Sequence, residues 1–359
     1  MNTNFSKIKV GILGGSGYAG AALIRRLLKH SQVDIVAIGS RQYESKAIAT
    51  AWPQFAGLLD LKFVNNDEVI ENSELIFFAT PHGVTAPWVY KAIKAGKKAI
   101  DLSADFRLPQ ADFEYWYKQK HEYPELIDKA VYGLVELHRK EIVGKNLIAT
   151  PGCNSTTAIL GLAPLAFNDL LGEDIIVNVA AAVSGAGRGL GLGKHYAEAN
   201  ENMRPYSVTG NHRHTAEVEL SLARIMAMGH ELKTVNLQKR PIVSLNPHLI
   251  PMTRGIMATS YTKAKTDNLN DEILLEHFQD FYKNDPMVLV QEDLPNTKAV
   301  YASDRSIISV RYDKRSKQIV TFAVSDNLAK GAAGQAVQNF NIMNEFNETE
   351  GLFLEGIWP

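Results

Sequence analysis

Ile8-Lys9-Val10-Gly11-Ile12-Leu13-Gly14-Gly15-Ser16-Gly17-Tyr18-Ala19-Gly20 is the stretch that decides the fold. The first six residues read as a buried strand. Gly15, Gly17 and Gly20 fit G-x-G-x-x-G, and Gly14, Gly17 and Gly20 fit a second glycine spacing. Ala21-Ala22-Leu23-Ile24-Arg25-Arg26-Leu27-Leu28 then continues with helical spacing. A glycine turn between a strand and a helix brings backbone N–H groups against a pyrophosphate, which sits at the positive end of the helix. Gly14, Gly15, Ser16, Gly17, Tyr18, Ala19 and Gly20 are therefore the candidate cradle of a dinucleotide.

The chain downstream supports that reading. Asp34-Ile35-Val36-Ala37-Ile38 is a second strand and ends at Gly39-Ser40-Arg41. A cofactor with a free ribose 2′-hydroxyl is met by an acidic residue at this point. Here Ser40 and Arg41 stand instead, and a hydroxyl with a guanidinium suits a 2′-phosphate, so the expected cofactor is NADP(H). Glu74 to Thr80 and Lys98 to Ser103 are further strands, with a helix from Pro87 to Ala95 between them. Alternation of this kind predicts an α/β, Rossmann-type doubly wound parallel sheet. Loops at the carboxyl ends of its strands face the ligand, which adds Thr80 and Ser103 to the cofactor candidates. His82 in the same loops reads as structural. Val131-Tyr132-Gly133-Leu134 and Asn146-Leu147-Ile148-Ala149 are the last strand-like pieces of this half. The aromatic and charged run from Ala111 to Tyr123 reads as a surface excursion that packs on a second domain or subunit.

At 359 residues the chain exceeds one ordinary core, which predicts two domains. Apolar residues make up 45% and charged residues 21%, with a net charge of −1, so nothing draws the chain towards nucleic acid. No apolar run reaches membrane-spanning length. The polar start Met1 to Lys7 has no signal-like apolar core, and the expected compartment is cytoplasmic. A single cysteine excludes an internal disulfide framework and a cysteine-cluster metal site.

That cysteine lies in Ala149-Thr150-Pro151-Gly152-Cys153-Asn154-Ser155-Thr156-Thr157, ahead of an apolar run that Pro164 interrupts. Pro-Gly predicts a turn, and Cys153 then falls in the first turn of a short helix. There the free N–H groups and the helix dipole lower a thiol pKa and favour the nucleophilic thiolate. The competing reading is a small buried apolar side chain. Asp174 to Val183 is strand-like and runs into the loop Ser184-Gly185-Ala186-Gly187-Arg188-Gly189-Leu190-Gly191. With no long helix after it, this loop suits a substrate phosphate or carboxylate better than a second dinucleotide. Strand-like runs at 233–237, 255–261, 306–311 and 318–324 have few helices between them, which predicts an α+β second domain with a mixed or antiparallel sheet. Asn211-His212-Arg213-His214-Thr215-Ala216-Glu217-Val218-Glu219 is the densest ionisable cluster, with Thr215 the expected helix cap. A histidine here can activate the thiol and later pass a proton. His212 and His214 alternate in an extended segment, which argues against a metal site. Ser325 to Met343 reads as a small-residue helix in close packing. The expected division is 1–152 with 327–359 as the NADP-binding domain and 153–326 as the catalytic and oligomerisation domain.

Taken in order, the motifs Gly14–Gly20, Asp101–Arg107, Pro151-Gly152-Cys153, Ser184–Arg188, His212–Glu217 and Lys330–Asn339 resemble the N-acetyl-γ-glutamyl-phosphate reductases of arginine biosynthesis, in the aspartate-semialdehyde-dehydrogenase-like group. The resemblance implies that Cys153 attacks a small-molecule acyl phosphate, phosphate leaves, and NADPH reduces the thioester to a semialdehyde. It implies His214 as the acid–base residue with Glu217 or Glu219 beside it, and His212 as the rival position. It implies Arg107, Asn154, Arg188 and His212 as substrate contacts and Asn327 and Gly331 as a segment closing the cofactor site. The aromatic-rich insertion and the β-rich second domain predict a homo-oligomer, dimer or tetramer, and the ionisable residues predict no metal. Two residues depart from the family pattern: Asn154 replaces the aromatic residue after the cysteine, and Ala216 replaces the proline after the histidine pair. Both are similar to the reductases acting on carrier-linked aminoadipyl phosphate, which leaves that acyl group, or the aspartyl phosphate of an aspartate-semialdehyde-type dehydrogenase, as the alternative substrate, with an NADP-binding sensor as the non-enzyme alternative.

Overall fold

The computed structural model describes residues 7–232 and 240–359. The strand expected at 233–237 lies outside the described residues. The chain forms two compact units, one ending at Pro151 and joined by Ala332–Leu352, the other Gly152–Gly331 with Phe353–Pro359.

The first unit is built on seven parallel strands: β1 (Ile8–Leu13), β2 (Val33–Gly39), β3 (Phe63–Val64), β4 (Leu75–Phe78), β5 (Lys98–Asp101), β6 (Val131–Tyr132) and β7 (Leu147–Ala149). Their order is β3-β2-β1-β4-β5-β7-β6. Val10, Ile12 and Leu13 and all of β4 are fully buried, as continuous apolar runs are when helices cover both faces. The order reverses between β1 and β4, and ligands of doubly wound sheets bind at that switch point. The glycines at the end of β1 shape it. Gly14 adopts φ +83°, and a Cβ on Gly20 would lie 2.5 Å from the Gly14 carbonyl oxygen. The helix Tyr18–Leu27 therefore starts hard against the turn. The aromatic segment packs within this unit: Phe113 is buried, stacks on Tyr117 and meets the edge of His121, whose Nε2 bonds the Asp105 carbonyl. The C-terminal helix spans only Gly334–Met343, preceded by one π-type turn, Ala329–Ala333. Asn339 donates to the Gly133 carbonyl, and a side chain on Gly133 would collide with it.

The second unit has a mixed sheet of β8 (Ile175–Ala182), β9 (Arg204–Pro205), β10 (Val243–Ile250), β11 (Ile256–Lys263), β12 (Val288–Val290), β13 (Ser306–Asp313) and β14 (Gln318–Ser325). Their order is β12-β13-β14-β11-β8-β10-β9, with β8 parallel to β10 and antiparallel to β11. Ile175, Val177 and Val179 point to the core, while Ile176 and Asn178 on the opposite face are exposed. Helices Cys153–Phe167, His214–Gly229 and Asp271–Tyr282 complete the unit.

The Cys153 helix corrects one expectation, because it continues through Pro164. Proline removes the amide that would bond the Leu160 carbonyl. The buried Tyr282 hydroxyl donates to that carbonyl instead, at 2.6 Å. The division into units also differs from the expected one at Gly152, at 327–331 and at 353–359. Gly331 packs on Cys153, and Phe353 and Ile357 bond Asp304 and Tyr301, which holds both pieces in the second unit.

Candidate active site

Cys153 is the first residue of its helix, with Gly152 as the extended N-cap. It is half-buried and in no disulfide. A Cβ built on Gly152 would lie 2.4 Å from His214 Nε2, so the imidazole rests on the backbone one residue before the sulfur. A Cβ on Gly331 would lie 2.8 Å from the Cys153 Cβ. Both glycines are bare because the site is packed from two sides.

His214 opens the helix His214–Gly229, and Glu217 lies one turn on with its Oε1 4.0 Å from His214 Nε2. The buried Glu217 Oε2 accepts from the Gly152 amide and from Ser155 Oγ, each at 3.0 Å. One carboxylate thus ties the imidazole to the nucleophile's helix start. Glu219 lies apart from this group, and its Oε1 accepts from the Val243 amide at the start of β10. Thr215 is not the cap expected for this helix. The His214 amide donates to His212 Nδ1 at 3.2 Å, so the preceding imidazole supplies the acceptor. Burial, then the Arg213 charge, push the His212 pKa down to about 4 against the pull of Glu217. His212 is therefore neutral near pH 7, with its proton on Nε2.

Cys153 Sγ is 3.8 Å from Asn154 Oδ1, and Asn154 Nδ2 donates to the Tyr206 hydroxyl at 3.2 Å. Tyr206 meets His212 edge to face. Neither Tyr206 nor Ser155 was singled out in the sequence, where nothing marks a tyrosine 53 positions from the cysteine. Arg188 is exposed on its glycine loop. Asn327 Oδ1 accepts from the Gly255 amide and its Nδ2 donates to Ser184 Oγ, which braces the start of that loop.

In the first unit a cavity of about 600 Å³ opens at the switch point, lined by Gly14, Ser16, Ser40, Arg41 and Thr80. Asn66 and Trp88, which sequence reading passed over, form further walls. Gly15, Gly17, Tyr18, Ala19 and Gly20 shape the turn from behind, with the Gly15 carbonyl accepting from Trp52 Nε1. Ser40 donates to Ser16 Oγ and accepts from the Tyr43 amide. Ser103 lies deeper, bonding Asp101 through both its amide and its hydroxyl. Burial and the neighbouring Asp105 raise the Asp101 pKa to about 7. Arg107 donates from Nε to the Thr150 carbonyl and from Nη2 to the Leu102 carbonyl. Among the described residues no group of three His, Cys, Asp or Glu side chains could hold a metal ion, and no helix is long and apolar enough to cross a membrane.

The chain matches the family model of the semialdehyde dehydrogenase NAD-binding domain over residues 9–145 and that of the semialdehyde dehydrogenase dimerisation domain over 153–327. The N-acetyl-gamma-glutamyl-phosphate reductase of Thermus thermophilus is 44% identical over 351 residues, covering 98% of this chain and 100% of the relative. That of Halothermothrix orenii is 40% identical, over 98% and 100%. Among solved structures, aspartate semialdehyde dehydrogenase II of Vibrio cholerae complexed with ASA superposes with a TM-score of 0.69 at 18% identity, over 94% of this chain and 98% of that one. The Candida albicans aspartate semialdehyde dehydrogenase with NADP gives 0.65 at 17%, over the same shares, so the likeness to both is one of fold. Sequence and fold agree, and the chain belongs to the N-acetyl-γ-glutamyl-phosphate reductase family of semialdehyde dehydrogenases.

Proposed function

We propose that this chain is an NADPH-dependent reductase that converts N-acetylglutamyl 5-phosphate to N-acetylglutamate 5-semialdehyde and phosphate. The observation that carries the reading is the joining of Cys153, His214 and Glu217 around Gly152. The thiolate forms at the helix N-terminus with its proton passing to His214 Nε2. It attacks the acyl carbon, the C–O bond to phosphate breaks, and an acyl thioester on Cys153 remains. Bound NADPH supplies the hydride that reduces this thioester. His214, oriented by Glu217, then returns its proton to the departing thiolate or the carbonyl oxygen. A neutral His212 cannot cycle a proton near pH 7, which favours His214 for this part and leaves His212 as a hydrogen-bonding neighbour.

The Gly14–Gly20 turn suits a dinucleotide, since Gly14 and Gly20 let the strand end and the helix start approach within a distance that any Cβ would prevent, which leaves the helix N-terminus for a pyrophosphate. Arg41 is the cation for the 2′-phosphate, because the Ser40 hydroxyl proton is directed to Ser16. Arg188 and Asn154 remain substrate candidates, with Arg107 acting through the Thr150 backbone. The open face of the second sheet around Ile176 suits self-association as a dimer or tetramer, and the cytoplasm suits the lone thiol.

The test runs the reaction backwards. N-acetylglutamate semialdehyde and NADP should yield NADPH only when inorganic phosphate is present. Activity confined to carrier-linked aminoadipate semialdehyde or to aspartate semialdehyde would keep the chemistry and replace the substrate.

A further inference from the structure

We propose that Asn154 and Tyr206 form a relay that stabilises the Cys153 thiolate, with the Asn154 carboxamide turning over as the thiol loses its proton. The proposal rests on Cys153 as the nucleophile. Asn154 is 2% exposed, and both ends of its carboxamide are engaged, Oδ1 towards Cys153 Sγ at 3.8 Å and Nδ2 on the Tyr206 oxygen at 3.2 Å. This arrangement suits the thiol, whose S–H points to the carboxamide oxygen. It does not suit the thiolate, which would face another acceptor. Oxygen and NH₂ of a carboxamide have nearly the same shape, so a half-turn of the group exchanges them in place. N–H then donates to the thiolate, and Oδ1 accepts from the Tyr206 hydroxyl. That hydroxyl proton has no other acceptor among the described residues. The half-turn therefore gives the Tyr206 hydroxyl proton an acceptor that it lacks in the thiol state, and the thiol proton leaves to His214.

The surrounding charges make such a donor useful. Glu217 sits on the Gly152 amide and opposes a negative sulfur, while His214 offsets it. His212 is neutral, and from the segment behind Gly331 come the buried Lys330 and Asp326, the latter paired with Arg254. Burial, with the Cys153 charge adding to it, pushes the Tyr206 phenol up to about 12, so it stays a donor throughout the working range.

Cys153 is the only cysteine, so iodoacetamide alkylation of the intact protein reports on it alone. The pH dependence of the alkylation rate gives the thiol midpoint. Tyr206→Phe and Asn154→Leu should each raise that midpoint by about one pH unit, a roughly tenfold slower alkylation below it. Because the two act in series, the double variant should move it no further than the larger single shift. An unmoved midpoint in either variant, or additive shifts in the double variant, overturns the relay. Should Asn154→Leu fail to fold by circular dichroism, Asn154→Ala carries the same test. The readout needs no acyl phosphate, so a wrong substrate leaves it intact. A Cys153→Ser protein that retained turnover would sink the nucleophile reading separately.

Discussion

At the scale of single residues, the site depends on what is missing from Gly152. Alanine there would place a Cβ 2.4 Å from His214 Nε2 and force the imidazole away. A displacement near 1 Å costs on the order of a hundredfold in rate. Gly152→Ala should therefore lower kcat by about that factor while the circular dichroism spectrum stays native. An unchanged kcat would show that the imidazole is not needed where it rests. His212 offers a second measurement. Its folded pKa of about 4 lies below the ordinary 6.5, so the unfolded chain binds the extra proton between those values. Stability then rises with pH across that window and is lost as pH falls from 6.5 towards 4. Asn can still accept the His214 amide, so His212→Asn should remove this loss, which amounts to at most about 3 kcal/mol. Urea titrations of both proteins at pH 7 and pH 4.5 would read it, and parallel losses in the two would refute it. The cysteine and the histidine cluster were legible because helix-start chemistry and charge density are local patterns. Tyr206 was not legible, because folding alone brings it to Asn154.

At the scale of elements, the strands and glycine turn of the first sheet were readable from periodicity, since a doubly wound core writes continuous apolar runs into the sequence. Short edge pieces such as β3, β9 and β12 carry too few residues for a pattern, and the sequence does not reveal them. The Cys153 helix shows a different limit. Pro164 is a local stop signal, overridden because Tyr282, 122 positions from Leu160 along the chain, supplies the missing donor. Tyr282→Phe leaves the buried Leu160 carbonyl unsatisfied, which costs about 1–3 kcal/mol. The expected result is a lower melting temperature, with kcat retained at temperatures well below the transition. An unchanged melting temperature would mean that the helix absorbs proline without help.

At the scale of the whole molecule, a cofactor that binds only the folded chain shows its preference as a difference in stability. The division into two units was foreseeable from length, but its boundary followed contacts of Gly331 and Phe353 that no local pattern encodes. Ligand bound only by the native state raises stability by about 2.7 kcal/mol at a hundred times its Kd. The cavity at the switch point presents Arg41 and no acidic residue at the end of β2. A charge-assisted contact of this kind is worth about 1.5–3 kcal/mol, or roughly ten- to a hundredfold in Kd. NADP should therefore raise the calorimetric transition of the first unit by more than NAD at equal concentration. Arg41→Ala should bring the NADP shift down to the NAD value and leave the NAD shift where it was. Because two units need not melt together, the comparison is made on the ligand-responsive transition alone. Equal shifts by both cofactors in the wild-type chain would remove Arg41 from the discrimination. The cradle of Gly14 to Gly20 would then bind the shared pyrophosphate without selecting the ribose.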